Sequence, residues 1–557
     1  MRTANSLSTW GKFEGGQTKV NTYDVLITNC TVVDGSGRAS FRADVAVRDE
    51  RIVEITPLPS RERIPEAAAR QVLCGETLLL VPGFVDVHGH SDLNILACPM
   101  AESKLRQGIT TEIFGNCGES AFPLFGAFRK CVEEDMKRLG LEPLWRGAED
   151  YFKYIEALRP AVNVATYVGH GSIRAAVLGF DDRSPSGNEL DQMKREVRRA
   201  MDAGAIGLST GLIYPPGIFA TTDEIIELQR VASEKGGIYS SHVRGEGDLL
   251  LQAADEFLQI ALHTGSQAQF SHLKASGRRN WGKVLHVLSA IEDAANNGLN
   301  VWFDKYPYIA SSTSLASLLP RWVLAGGSEQ TLSLLADSQQ KAHIIEEAEY
   351  ANEGCDGWDS VLIVDPACDE FAECAGRSIG QIARELGRAG GDVFIDLLIA
   401  SKLRTSICNF TMNWEETDMV LQHPRGFVCT DGACRAPYGP LSYGAPHPRV
   451  YGTFGAYFRR YVKELKSLTL EEAIRKVTSL PCQIFGFRNR GEIRVGYYAD
   501  MLLLDWEKFR DQADFTLPHQ YCTGIEMVMV NGVVTLLRGS STGQRGGRVL
   551  RRETPLA

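Results

Sequence analysis

The chain has 557 residues, 44% of them hydrophobic, and a formal net charge of −10 at neutral pH. Such a length can bury a large core and form more than one domain, while the acidic balance and the lack of a basic stripe exclude a nucleic-acid partner. No signal-peptide apolar segment or membrane-length run is present and the 13 cysteines show no regular spacing, so the expectation is a cytoplasmic protein with free thiols and no membrane partner.

Residues 1–22 are polar and rich in Gly, Ser and Thr, and are expected to form a disordered extension. From Tyr23, short β-branched runs with turn signals such as Asp34-Gly35 predict a small antiparallel β domain, and a similar texture returns near the end of the chain, where Asn531-Gly532 signals a hairpin. Segments 23–83 and 483–540 are therefore expected to pair into one β-sandwich domain.

The middle of the chain alternates apolar strand candidates with amphipathic helical segments such as 190–203 and 223–235. The strand candidates are FVDVHGH, TTEIFGNCG, NVATYVGHG, AIGLSTG, GIYSSHVRGE, AQFSHLK, VWFDKYPY and GFVCTDGA. Eight strands alternating with helices predict an α/β fold of the (β/α)8 barrel (TIM barrel) type over 84–482. Residues 312–426 are too long for one crossover helix and are expected to form a lid or insertion over the site.

Most of these strands end in a residue able to do chemistry, and the carboxyl ends of barrel strands are where such folds keep their sites. His88-Gly89-His90 puts two imidazoles on one side of a strand end, with Gly89 read as allowing close backbone approach to whatever they hold. Further along lie Cys117, His170, His242, His272 and Asp431. Nitrogen, sulfur and oxygen donors together suit a catalytic zinc that keeps one position open. Taken singly, Cys117 reads first as a buried apolar thiol, His242 or His272 as a satisfied core histidine, and Asp431 as a turn residue before Gly432. It is their joint occurrence at strand ends that favours a metal centre. Gly83, Gly108 and Gly118 read as turn residues, and His170 as a residue with no ligand role assigned.

The ordered motifs HGHSD, GNCG, SHVRGE, SHLK, YPY, TDGA and PHPRVYGTF resemble the D-aminoacylase (N-acyl-D-amino-acid deacylase) family of the metal-dependent amidohydrolase superfamily, over residues 23–537. The resemblance implies that His88, His90, Cys117 and Asp431 hold one zinc. It implies that Cys117 can bridge to a second, weaker position with His242 and His272, leaving one or two zinc ions open. It makes Asp431 the general base, Tyr214 a helper for the oxyanion, and Lys274, Tyr306 and Arg449 the partners of the substrate's α-carboxylate. The carboxylated lysine common on the fourth strand of the wider superfamily has no counterpart in AIGLSTG. Arg244 and Glu246 are expected to pair with each other and orient ligands.

The implied activity is hydrolysis of the amide of small N-acyl-D-amino acids. A cyclic-amide hydrolase (hydantoinase- or dihydroorotase-like) is the alternative enzyme, and a non-catalytic barrel serving as an assembly module is the alternative of another class. Preferred side chain and oligomeric state stay open.

Overall fold

The computed structural model describes residues 22–60, 63–351 and 355–552, and the expected extension over 1–22 lies, Thr22 apart, outside them. Both ends of the described chain contribute to one nine-stranded sheet. Its N-terminal strands are β1 (Tyr23–Val32), β2 (Phe41–Arg48), β3 (Arg51–Pro57), β4 (Ala69–Cys74) and β5 (Leu79–Pro82). The sheet is mixed rather than purely antiparallel. The long β1 pairs antiparallel with β2 and divides its other edge between β4 and β5, both parallel to it.

The next strands form a ring. They are β6 (Phe84–Asp86), β7 (Ile109–Phe114), the successive short pieces β8 (Asn163–Thr166) and β9 (Val168–Gly169), β10 (Gly207–Gly211), β11 (Ile238–His242), β12 (Ala268–Phe270) and β13 (Val301–Lys305). With β8 and β9 taken as one interrupted strand, β8 pairing with β7 and β9 with β10, all pair in parallel with their neighbours in chain order. Amphipathic helices lie between them. The helix Gly187–Ala203 begins at Ser186, whose side chain and that of Glu189 form a capping box, and ends at Gly204 in the left-handed region.

After β13 the chain leaves the ring and builds a unit with its own apolar core. Strands β14 (Ser311–Ser314), β15 (Val361–Asp365) and β16 (Ser406–Asn409) form a three-stranded antiparallel sheet. The helices Ile379–Leu386 and Gly390–Ala400 belong to this unit. The following helix, Trp414–Gln422, falls within the span expected for the lid but packs against β13 and β17 (Gly426–Val428) of the ring. Strand β17 pairs with β13, and a parallel bridge from Gly89 to Gly432 closes the circuit onto the end of β6. The Asp431 N–H donates to the His88 carbonyl at 2.8 Å.

Strands β18 (Met501–Leu504), β19 (Ile525–Val530), β20 (Val533–Leu537) and β21 (Ser540–Ser541) then complete the nine-stranded sheet through an antiparallel β5–β18 pairing. The expected hairpin is present, with Asn531 at φ 48° and Gly532 at φ 78°, as a two-residue turn of the right twist requires. The chain continues past the expected boundary at 540. Val164 of β8 donates to the Arg548 carbonyl and accepts from Leu550 N–H, so the tail lies against the ring.

Candidate metal centre

Three of the predicted donors sit just beyond strand ends with left-handed backbone: Cys117 (φ 52°), His272 (φ 34°) and Asp431 (φ 45°). This conformation is uncommon outside glycine, costs about 1–3 kcal/mol per residue and persists where the surroundings enforce it. Here it turns all three side chains toward the ring axis. Donor atoms of His88, Cys117, His272 and Asp431 lie within 4.8 Å of one another. Cys117 Sγ is 3.3 Å from His88 Nε2 and 3.4 Å from His272 Nε2, and Asp431 Oδ1 is 3.4 Å from His88 Nε2 and 3.0 Å from His90 Nε2.

A second donor group joins His242, Glu246 and His272. His242 is 3% exposed, yet neither of its ring nitrogens has a hydrogen-bond partner. A buried imidazole left unpaired costs free energy unless something else engages it, and an ion between His242 and its neighbours would do so. The donor set and this orphaned ring fit a divalent metal.

The supporting residues were not all legible beforehand. Asp304, buried at the end of β13, accepts the His272 backbone N–H at 2.8 Å and stands 3.1 Å from His88 Nδ1, which leaves His88 Nε2 facing the other donors. Cys429 donates its thiol to the same carboxylate. Beneath the site, the fully buried Lys104 ammonium contacts Asp86 and Glu112, each at 2.9 Å, and donates to Thr430 Oγ1 and the Gly432 carbonyl. It thereby ties β6, β7 and the segment after β17 together. This network also corrects the reading of Gly89: a Cβ there would fall 2.1 Å from Glu112 Oε1, so the glycine makes room for that carboxylate.

Two further expectations are corrected. Arg244 pairs with Glu256 at 2.9 Å, not with Glu246. Glu246 instead meets the ammonium of Lys274 and lies 3.1 Å from His272 Nδ1, because β11 and β12 are neighbours in the ring. Lys274, expected beside a substrate carboxylate, also has its Nζ 2.7 Å from His272 Nδ1. His170 lies off the centre, with Nε2 2.9 Å from Glu224, a carboxylate that Arg174 also contacts.

Of the remaining predicted residues, Arg449 Nη1 stands 2.8 Å from Asp431 Oδ2, and its guanidinium lies 4.6 Å over the Tyr306 ring. Tyr214 sits with its ring centroid 5.0 Å from that of His242 and its hydroxyl 3.0 Å from Thr313 Oγ1. Charge balance shapes the titration of the cluster. Burial pushes the Cys117 thiol up, but the imidazoles of His88 and His272 outweigh it and hold the group well below its ordinary value. Burial likewise opposes ionisation of Asp431, yet Arg449, His272 and His88 keep its carboxyl well below the usual carboxylate range. Cys117, Tyr214, His242, His272, Tyr306, Asp431 and Arg449 open onto a cavity of about 940 Å³.

A sequence model of the Amidohydrolase family matches residues 439–536. The N-acyl-D-glutamate deacylase of Alcaligenes xylosoxydans xylosoxydans is 34% identical over 536 residues, covering 96% of this chain and 98% of that protein. The D-aminoacylase of the same organism is 34% identical over 530 residues, covering 95% and 98%. Among solved structures, the N-acyl-D-glutamate deacylase of Bordetella bronchiseptica, complexed with zinc and a phosphonate inhibitor, superposes with a TM-score of 0.79 at 32% identity, covering 95% of this chain and 100% of that one. With similarity of this extent along its length and the donors gathered at the ring's carboxyl ends, the chain belongs to the D-aminoacylase (N-acyl-D-amino-acid deacylase) family of the metal-dependent amidohydrolases.

Proposed function

We propose that this enzyme hydrolyses the amide bond of N-acyl-D-amino acids at a zinc centre, releasing a carboxylate and a D-amino acid. The observation that carries the reading is the four-donor cluster of His88, Cys117, His272 and Asp431, with the orphaned His242 beside it. The ring of strands with its outer helices is read as a (β/α)8 barrel, and the sheet built from both chain ends as its β-sandwich companion. His88, His90, Cys117 and Asp431 would hold one ion. His242 and His272, with Cys117 between the two positions, would hold a second and weaker one, to which Glu246 lies close enough to contribute. When bound, zinc polarises the scissile carbonyl and lowers the pKa of water.

Asp431 takes a proton from the attacking water and passes it to the departing amide nitrogen. Its Oδ1 faces the imidazoles while Oδ2 is held by Arg449, so the carboxylate has one fixed orientation. Tyr214, once its hydroxyl leaves Thr313, donates to the oxyanion. Arg449 and Tyr306 receive the α-carboxylate, since Arg449 Nε and the Tyr306 hydroxyl are buried without a hydrogen-bond partner. Lys274 lines the same cavity, with its ammonium on Glu246, and supplements them. D-configuration rests on the relatives' names.

Zinc-loaded protein should release free amino acid from N-acetyl-D-amino acids and far less from their L-enantiomers or from dihydrouracil. Failure to hydrolyse any D-substrate overturns the reading, and rapid opening of dihydrouracil favours the cyclic-amide alternative.

A further inference from the structure

The two relatives above are named for different substrates yet are equally identical to this chain, so identity does not choose the side chain accepted. The cavity does. Among the described residues, the lysines and arginines on its wall are Lys274, Arg279 and Arg449. Each already faces a carboxylate: Lys274 meets Glu246, Arg279 holds Asp248 through Nε at 2.8 Å and Nη2 at 2.9 Å, and Arg449 lies against Asp431. Of the three, Arg449 keeps a buried nitrogen, Nε, without a partner, and Tyr306 beside it has an unpartnered hydroxyl. That pair serves one carboxylate, and the substrate's α-carboxylate fills it.

The rest of the wall brings no further lysine or arginine among the described residues. Three of the hydroxyls on β14 and the turn after it are already engaged within the protein. Ser311 donates to the Asn409 carbonyl, Thr313 is bonded to Tyr214, and Ser317 donates to the Ser314 carbonyl. Beyond them the cavity adjoins a recess of about 160 Å³ whose wall combines Phe180, Ile213, Pro215, Leu324 and Leu403 with neutral hydroxyl residues such as Ser314 and Thr331 and includes no charged side chain. A carboxylate pushed against such a wall would lose its hydration and gain no cationic partner. An apolar group there is favoured in proportion to the area it buries.

Resting on the deacylase reading, we infer that this enzyme takes N-acyl-D-amino acids whose side chain is uncharged and apolar, the α-carboxylate being the one anion it accommodates. The test compares substrates of equal shape and different charge on the full-length, zinc-loaded chain: N-acetyl-D-glutamine against N-acetyl-D-glutamate, and N-acetyl-D-asparagine against N-acetyl-D-aspartate, with N-acetyl-D-leucine as the apolar arm. The amides should exceed the acids in kcat/KM by roughly thirtyfold, equivalent to about 2 kcal/mol at 1.4 kcal/mol per decade, and leucine should match or exceed glutamine. Acids hydrolysed as fast as or faster than their amides overturn the exclusion of charge, and leucine slower than glutamine overturns the apolar recess; in either case the deacylase reading survives. Hydrolysis of none of the five overturns that reading and this inference with it.

Discussion

Asp304 Oδ1 is shared between two histidines of the centre, accepting the backbone N–H of His272 at 2.8 Å and lying 3.1 Å from the Nδ1 of His88. One buried carboxylate thus fixes both the ring orientation of one donor and the left-handed backbone of another. Asp304→Asn preserves the size but removes the charge. It should weaken zinc binding by about 10–100-fold, the usual range for loss of a ligand's outer partner, with activity partly restored at high zinc. Zinc titration against a competing chelator measures this, and an unchanged affinity would remove Asp304 from the role.

Asp431→Asn should separate chemistry from metal retention. The amide keeps the shape next to His90 and Arg449 but accepts no proton, so kcat should fall by about 10³-fold, within the range for loss of general acid–base catalysis. Zinc content by elemental analysis should stay near that of the parent protein. Near-normal turnover would move the base elsewhere.

Arg449→Lys retains the charge while giving up the planar fork and the stacking over Tyr306. KM for N-acyl amino acids should rise by roughly tenfold, in keeping with about 1.4 kcal/mol of lost binding. Because Arg449 also holds Asp431 Oδ2, a smaller drop in kcat should accompany it. Steady-state kinetics resolve the two effects, and an unchanged KM would argue against the carboxylate assignment.

Removal of metal should lower both activity and thermal stability. His88, Cys117, His242 and His272 are packed together, His242 without a hydrogen-bond partner, and a ligand bound only by the folded state stabilises it by mass action. Chelation followed by calorimetry should give a lower Tm that added zinc restores; a Tm indifferent to both would contradict the assignment.

Far from the centre, Lys476 supplies a pH-dependent term. Burial pushes its ammonium down from 10.5 to about 7, with Nζ donating to the His423 carbonyl. Between pH 7 and 10.5 the unfolded chain therefore binds more protons at this position than the folded one. Its contribution to stability rises with pH across that window, and the penalty for charging it in the fold is complete below about 7. Lys476→Met should flatten this slope and raise the denaturation midpoint at pH 7 more than at pH 10. Equal shifts at both values would exclude the lysine as the source.

Much of the centre was readable because its donors occupy a repeated grammatical place, at or a few residues past the carboxyl end of a parallel strand. His88, Cys117, His242, His272 and Asp431 stand out for that reason. What escaped were contacts between neighbouring ring strands, which chain spacing does not encode. Glu246 was paired with Arg244 through proximity in sequence, whereas the turn after β11 sends Arg244 to Glu256 and leaves Glu246 facing Lys274 in the loop after β12. Asp304 looked like any strand aspartate, and Lys104, on a short helix before β7, carried no motif at all. The insertion was visible as excess length, but its three strands were not, since Ser311–Ser314 is a run of hydroxyl residues with no apolar alternation. The mixed order of the outer sheet was hidden for a comparable reason: strand texture reveals pairing capacity and not direction.

The contact of the C-terminal tail with β8 has a consequence for biogenesis. Asn531 donates to Asn163 across 368 positions, and residues 547–550 complete the hydrogen bonding of Val164 and Pro160. During translation, this edge of β8 must wait, exposed, until residues 547–550 have left the ribosome. A shortened recombinant version ending at the last long strand would keep every residue of the catalytic centre and still leave that seam unsealed, prone to association with other chains.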